Sequence, residues 1–217
     1  MTARTTAIDL HPLYNVRKGT VAFVDVPELG YIVVDGQGDP EGAEFRDALH
    51  ALFAVSYGAH FLVKKERGDA PRVLPLEALW SVGDLTHPDR RRRGGWRWRA
   101  MIVQLDPIDA AVVERARGAA REKYDNPTLD RLRYERWEEG RCAQTLHVGP
   151  YADEGPTIVR LEAAIADAGC RPDGPHHEIY LGDPRRCAPE RLRTILRQKV
   201  APAPGHGDDY RARPCRG

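Results

Sequence analysis

Two residues able to do acid–base or charge-pairing chemistry stand two positions apart in Pro175-His176-His177-Glu178-Ile179-Tyr180-Leu181. Side chains alternate faces along an extended chain, so Glu178 and Tyr180 share one face. His177, Ile179 and Leu181 share the other, a mostly apolar set that should look into a core. A carboxylate beside a phenol can take a proton from water, support a developing oxyanion through the O–H, or balance a cationic ligand. Glu77 is set among apolar residues in the same way, in Leu74-Pro75-Leu76-Glu77-Ala78-Leu79-Trp80. A lone carboxylate in an apolar strand is costly to bury without a partner. Two such strands, one in each half of the chain, predict a shared site with Glu77 and Glu178 on related walls of one cleft.

Aromatic residues could line that cleft. Trp80, Trp98 and Trp137 offer flat stacking surfaces and cation–π contacts. Tyr57, near a helix end, and Tyr151, in a helix-entry loop, are further candidates. Each also has a plain structural reading: aromatics fill cores, and Glu178 can pair with Arg185 or Arg186. Trp80 lies three positions after Glu77, so a regular strand puts the two on opposite faces, and a bulge would be needed to unite them.

The elements that must position these groups are readable from periodicity. Val21 to Val26 and Gly30 to Val34 read as strands, or one bent strand, with Gly36, Gly38 and Pro40 as a loop. A helix is predicted from about Glu41 to Tyr57, with Asp39 as its cap and Phe45, Leu49, Leu52 and Phe53 on one face. Strands follow at His60 to Lys64, Leu74 to Val82 and Trp96 to Gln104. A second helix spans Ile108 to Tyr124, with Ile108, Val112, Ala116 and Ala119 facing inward. Thr128 to Trp137 fits no single period and is assigned as strand, followed by another at Arg141 to Val148. A helix from about Glu154 to Ala168 ends at Gly169. The Glu178 strand and a closing strand, Thr194 to Val200, complete the series. Residues 1–19 read as an arm, 20–200 as one domain, and 201–217 as a disordered tail.

Composition narrows the function. The chain has 217 residues and a formal charge of +1, so it lacks the basic surplus of a general nucleic-acid binder. Arg90 to Arg93, beside Trp96 and Trp98, read as a solvated turn. No apolar run approaches the ~20 residues of a membrane span, and no leader pattern opens the chain, which predicts a cytoplasmic protein without a membrane partner. Cys142, Cys170, Cys187 and Cys215 form no Cys-x-x-Cys pair, so zinc and disulfide frameworks are not expected. His176-His177 has no third ligand at metal spacing. Gly36-x-Gly38 is too short for a phosphate loop. No metal or cofactor is predicted.

Tyr31 to Val34 followed by Asp39-Pro40-Glu41-Gly42 parallels Gln144 to His147 followed by Ala152-Asp153-Glu154-Gly155. Both run strand, loop, Glu-Gly, helix, and both lead to a strand with a central Glu, which suggests duplication. The run Glu139-Gly140-Arg141-Cys142-Ala143-Gln144-Thr145-Leu146-His147-Val148-Gly149-Pro150-Tyr151, with Glu154-Gly155, His177 to Leu181 and Pro184-Arg185-Arg186, resembles the GyrI-like small-molecule-binding domain. Pro75 to Trp80 and Trp96 to Arg99 are similar to that family's first-half motifs. The likeness spans roughly residues 20–200 and is to the free-standing form. It implies an α+β fold of two pseudo-symmetric strand-helix-strand-strand repeats, about 21–104 and 130–200, forming an antiparallel sheet with a central groove for bulky, flat, often cationic compounds. It further implies possible hydrolysis of cyclopropanoid DNA-alkylating compounds, a detoxifying step in which Glu178 and Tyr180 would act. The alternatives are a non-catalytic drug-binding or sequestering protein, or an interaction module of the gyrase-inhibitor type. The sequence leaves the oligomeric state open, a monomer included.

Overall fold

The first strand, β1 (Val21–Gln37), is 17 residues long, unbroken by the glycines near its end. Gly30 and Gly36 sit inside it because larger side chains press on them. A Cβ on Gly36 would lie 2.2 Å from the Trp98 ring, and one on Gly30 would lie 2.2 Å from the Tyr134 hydroxyl. The computed structural model describes residues 8–81 and 95–204. It adds α1 (His11–Tyr14), α2 (Ala43–Arg67), β2 (Leu76–Ser81), β3 (Arg97–Gln104), α3 (Ala110–Arg121), β4 (Arg133–Val148), α4 (Gly155–Asp167), β5 (Cys170–Tyr180) and β6 (Arg193–Pro202). The fold is α+β. All six strands pair antiparallel and close into a barrel in the order β1-β3-β2-β5-β6-β4.

Several predicted elements need correction. His60 to Lys64 is not a strand but the end of α2, which runs for 25 residues. Its buried positions Ala48, Leu52, Val55, Ala59 and Val63 recur every three or four residues, the helical period. Full burial of a side chain such as Leu52 or Val55 contributes about 1.5–3 kcal/mol, which outweighs local strand preference. Gly58 lets α2 approach α3, where a Cβ would sit 3.4 Å from that of Ala116. The helix stops at Gly68, whose φ of 84° is left-handed and whose N–H caps Lys64. On α3 the buried face is Val113, Ala116 and Ala120, one position on from the predicted Val112 and Ala119. Pro127–Arg131 is a 3-10 turn capped by Asn126. After it, β4 unites the two segments read separately. β6 includes 201 and 202, predicted as tail but paired with β5. The basic stretch 88–94 and residues 205–217 lie outside the described residues.

The barrel wall has two faces with different cores. Outward, Ile32, Val34, Ala78, Trp80, Trp98, Ala100 and Ile102 pack under α2 and α3. Inward, Tyr31, Val33, Met101, Val103, Cys142, Ile179 and Ile195 fill the lumen. The inward set of β4 changes parity around Gly140, from Trp137 and Glu139 to Cys142, Gln144 and Leu146. Gly140 has a φ of 78°, a conformation that favours glycine, and β1 changes parity opposite it, between Val26 and Leu29, so the local turn of both strands brings Glu139 inside. Among the described residues, no helix is long and apolar enough to cross a membrane.

Candidate functional site

The β2–β5 seam carries both candidate carboxylates, but on opposite faces. Ala78 pairs with Glu178, and Glu77 pairs with Ile179. Residues directly opposite in an antiparallel pair share a face, so Glu178 lies outside the barrel wall and Glu77 inside. The expectation that Glu77 and Glu178 line one cleft is therefore corrected. No bulge interrupts the β2–β5 pairing, and Trp80 faces outward, away from Glu77.

On the outer face, Trp80, Tyr180 and Glu178 form a chain. The indole Nε1–H of Trp80 donates to the Tyr180 hydroxyl at 3.0 Å, which donates to Glu178 Oε2 at 2.8 Å. Ala78 lies between Trp80 and Leu76 along β2, small enough for the two long side chains to meet across the seam. Tyr151 stands edge-on to the Tyr180 ring at 5.7 Å. His176 Nε2 is 3.6 Å from Glu178 Oε1, and the Glu178 side chain is 14% exposed. Burial and then the Glu178 charge raise the Tyr180 pKa, so the phenol keeps its proton. Burial, then Glu178 and Glu154, push Tyr151 up to about 12. Arg185 pairs with Asp183 at 3.0 Å.

The remaining predicted residues are dispersed. Trp98 is 3% exposed and packs edge-on to Phe45 at 5.0 Å, a core position. Tyr57 is exposed on α2 and stacks on Phe53. Trp137 belongs to the lumen, between Tyr31 at 5.7 Å and His177 at 6.4 Å.

The lumen holds a charged cluster at its centre. His177, fully buried, has Nδ1 2.9 Å from Glu139 Oε1 and Nε2 3.0 Å from Glu77 Oε2. Arg197 reaches Glu139 at 3.3 Å, donates to Gln144 Oε1 at 3.0 Å, and donates to the Leu13 carbonyl at 2.8 Å. Gln144 donates to the Pro12 carbonyl at 2.7 Å, and the Tyr14 hydroxyl donates to Glu77. Burial alone would lower the His177 pKa, but Glu139 and Glu77 raise it to about 9. Burial would raise Glu139, but His177 and Arg197 hold it at about 2. Two carboxylates, an imidazolium and a guanidinium thus cancel. Sequence reading missed Tyr14, Glu139 and Arg197. A lone Arg within Thr194-Ile195-Leu196-Arg197 was the available signal. Among the described residues, no group of His, Cys, Asp and Glu fits a metal ion.

The family model described as the GyrI-like small molecule binding domain matches residues 108–199. The crystal structure of an uncharacterized conserved protein from Listeria innocua is 32% identical, with a TM-score of 0.80, over 89% of this chain and 100% of its own. The chain belongs to the GyrI-like family. This GyrI-like chain is also similar to a protein described as a hydrolase from Listeria innocua. That match has 32% identity and a TM-score of 0.76, over 88% of this chain and 96% of the other. At 10% identity, the EcmrR C-terminal domain shares the fold, with a TM-score of 0.51 over 85% of this chain and 98% of its own. No curated protein matches the sequence.

Proposed function

We propose that this GyrI-like domain binds a flat, amphipathic cation on the outer face of the β2–β5 seam, with the positive charge near Glu178 and the rings against Tyr180 and Tyr151, which buried Trp80 backs from behind. One observation carries the reading: a largely buried carboxylate is held by a phenol that is itself held by an indole. A partly desolvated anion among aromatic faces attracts a cation by charge and by cation–π contact. In this reading the runs β1-α2-β2-β3 and β4-α4-β5-β6 are duplicated units meeting at that seam. Glu77, Trp98 and Trp137 take no part in it. The test is quenching of tryptophan fluorescence by ethidium, a permanent flat cation. Glu178→Gln should weaken binding about tenfold or more, the scale of one lost charge-assisted contact. Equal affinity in the variant would refute the reading.

A hydrolytic reading is favoured by the relative described as a hydrolase together with the Glu178–Tyr180 pair. Glu178 would take a proton from water while the water oxygen bonds to a carbon of a strained cyclopropane. The ring C–C bond breaks, and its electron pair moves into a conjugated carbonyl as an enolate or phenolate oxygen. That oxygen then takes up a proton, and Glu178 releases its own. Tyr180 directs its only proton at Glu178, so its part is to hold the carboxylate. Ring-opened product from a cyclopropane-bearing alkylating compound, formed by wild type and not by Glu178→Gln, would support this step. Equal turnover would refute it.

A further inference from the structure

His177 and Glu178 are neighbours on β5 that face opposite sides of the same seam. On the outside, β2 and β5 are tied by Trp80 Nε1 to Tyr180 at 3.0 Å. On the inside, Glu77 Oε2 on β2 and His177 Nε2 on β5 lie 3.0 Å apart, an ion pair rather than an aligned hydrogen bond. The inner tie is anchored further: His177 to Glu139 on β4, Glu139 to Arg197 on β6, and Glu77 to Tyr14 on α1. We propose that His177 is a positioning residue for the outer site: pinned between Glu77 and Glu139, its imidazolium holds the β2–β5 seam at the spacing that brings Trp80 onto Tyr180 and so aims Glu178. The ligand consequence rests on the binding reading above; the structural consequence does not.

Loss of the His177 proton leaves Glu77 and Glu139 facing a neutral ring in a lumen with one guanidinium. Two buried carboxylates then share one cation, and the contact that closes the seam becomes a repulsion or a solvated gap. The groups facing His177 are Glu77 from β2, Glu139 and Cys142 from β4, Arg197 from β6, Tyr14 from α1 and Tyr31 from β1; β3 contributes the apolar Met101. Burial raises Tyr14, Tyr31 and Cys142 well above their ordinary values. His177, at about 9, is therefore the member of the cluster that titrates first on the alkaline side.

The test follows the indole N–H resonance of Trp80 in proton–nitrogen spectra of the full chain, from about pH 6.5 to about pH 10.5, the range that brackets the His177 transition. The chain has four tryptophans, and Trp80→Phe assigns the signal. Wild type should show a single step with a midpoint near 9. His177→Gln alone leaves one carboxylate without a counter-charge, so the informative variant is the charge-balanced Glu77→Gln/His177→Gln, which keeps the Glu139–Arg197 pair. Its Trp80 signal should shift at neutral pH and show no step. A flat wild-type profile, or the same step in the double variant, would overturn the proposal. Ethidium titrations run in parallel. If binding holds, wild-type affinity should fall about fivefold across the step, one hydrogen bond's worth, and be flat in the double variant. A Trp80 step without any ethidium binding would leave the positioning role standing and sink the binding reading.

Discussion

Replacing Tyr180 with Phe removes one oxygen and tests the outer chain of hydrogen bonds. The ring stays, so the edge contact with Tyr151 at 5.7 Å and the packing are kept. The Trp80 indole N–H loses its acceptor while the residue remains 7% exposed, and stranding a buried donor costs about 1–3 kcal/mol. Glu178 also loses a donor, but at 14% exposure it can recover part of that from water. The sum is about 2 kcal/mol, near the middle of the range for a stranded donor. Trp80→Phe removes the donor and some volume. With Trp80 already gone, Tyr180→Phe strands nothing on β2, so the two changes should be non-additive by about 1 kcal/mol, as expected for contacting residues. Urea unfolding of the four proteins at neutral pH, with m held constant, measures the cycle. Strict additivity, or a Tyr180→Phe cost below about 0.5 kcal/mol, the level of an ordinary surface change, would refute the hydrogen-bonded chain.

Stability should also depend on pH through the lumen. The folded His177 pKa is raised to about 9, so its contribution of about 3 kcal/mol is fully present below about pH 6.5 and lost as pH rises through 9; urea midpoints at matched ionic strength report it. Glu139 is depressed to about 2, so its contribution is present above about pH 4.5 and lost only as pH falls toward 2, leaving the cluster intact in mild acid. Gly36→Ala should cost about 1–3 kcal/mol by overpacking, because the new methyl would lie 2.2 Å from the Trp98 ring; the thermal midpoint of the variant checks this.

Much of the frame was legible because it rests on local rules. The strands bearing Glu77 and Glu178 and the helix at 155–167 all show their period within a few residues. The alternation that sets Glu178 and Tyr180 on one face and His177 on the other needs only the geometry of an extended chain. Other features depend on what comes from afar. The end of α2 has strand-like residues, Phe61, Leu62 and Val63, and is helical because α3 packs against Gly58. Whether Glu77 joins Glu178 turns on the β2–β5 register, where one residue of slip exchanges the faces. The lumen cluster draws on β2, β4, β5, β6 and the residues before β1, and no spacing in the chain announces such a meeting. Glu139 enters it because β4 and β1 turn together at Gly140, a left-handed residue that looks like any other glycine in the sequence.

The most direct test of the binding account is a crystal structure of the chain with a flat aromatic cation such as ethidium. The account predicts the ligand against Tyr180 and Tyr151, with its charged nitrogen nearest the Glu178 carboxylate and the Glu77–His177–Glu139 cluster undisturbed. A ligand seated in the lumen beside Glu77, or on the exposed face of α2 beside Tyr57, would contradict it.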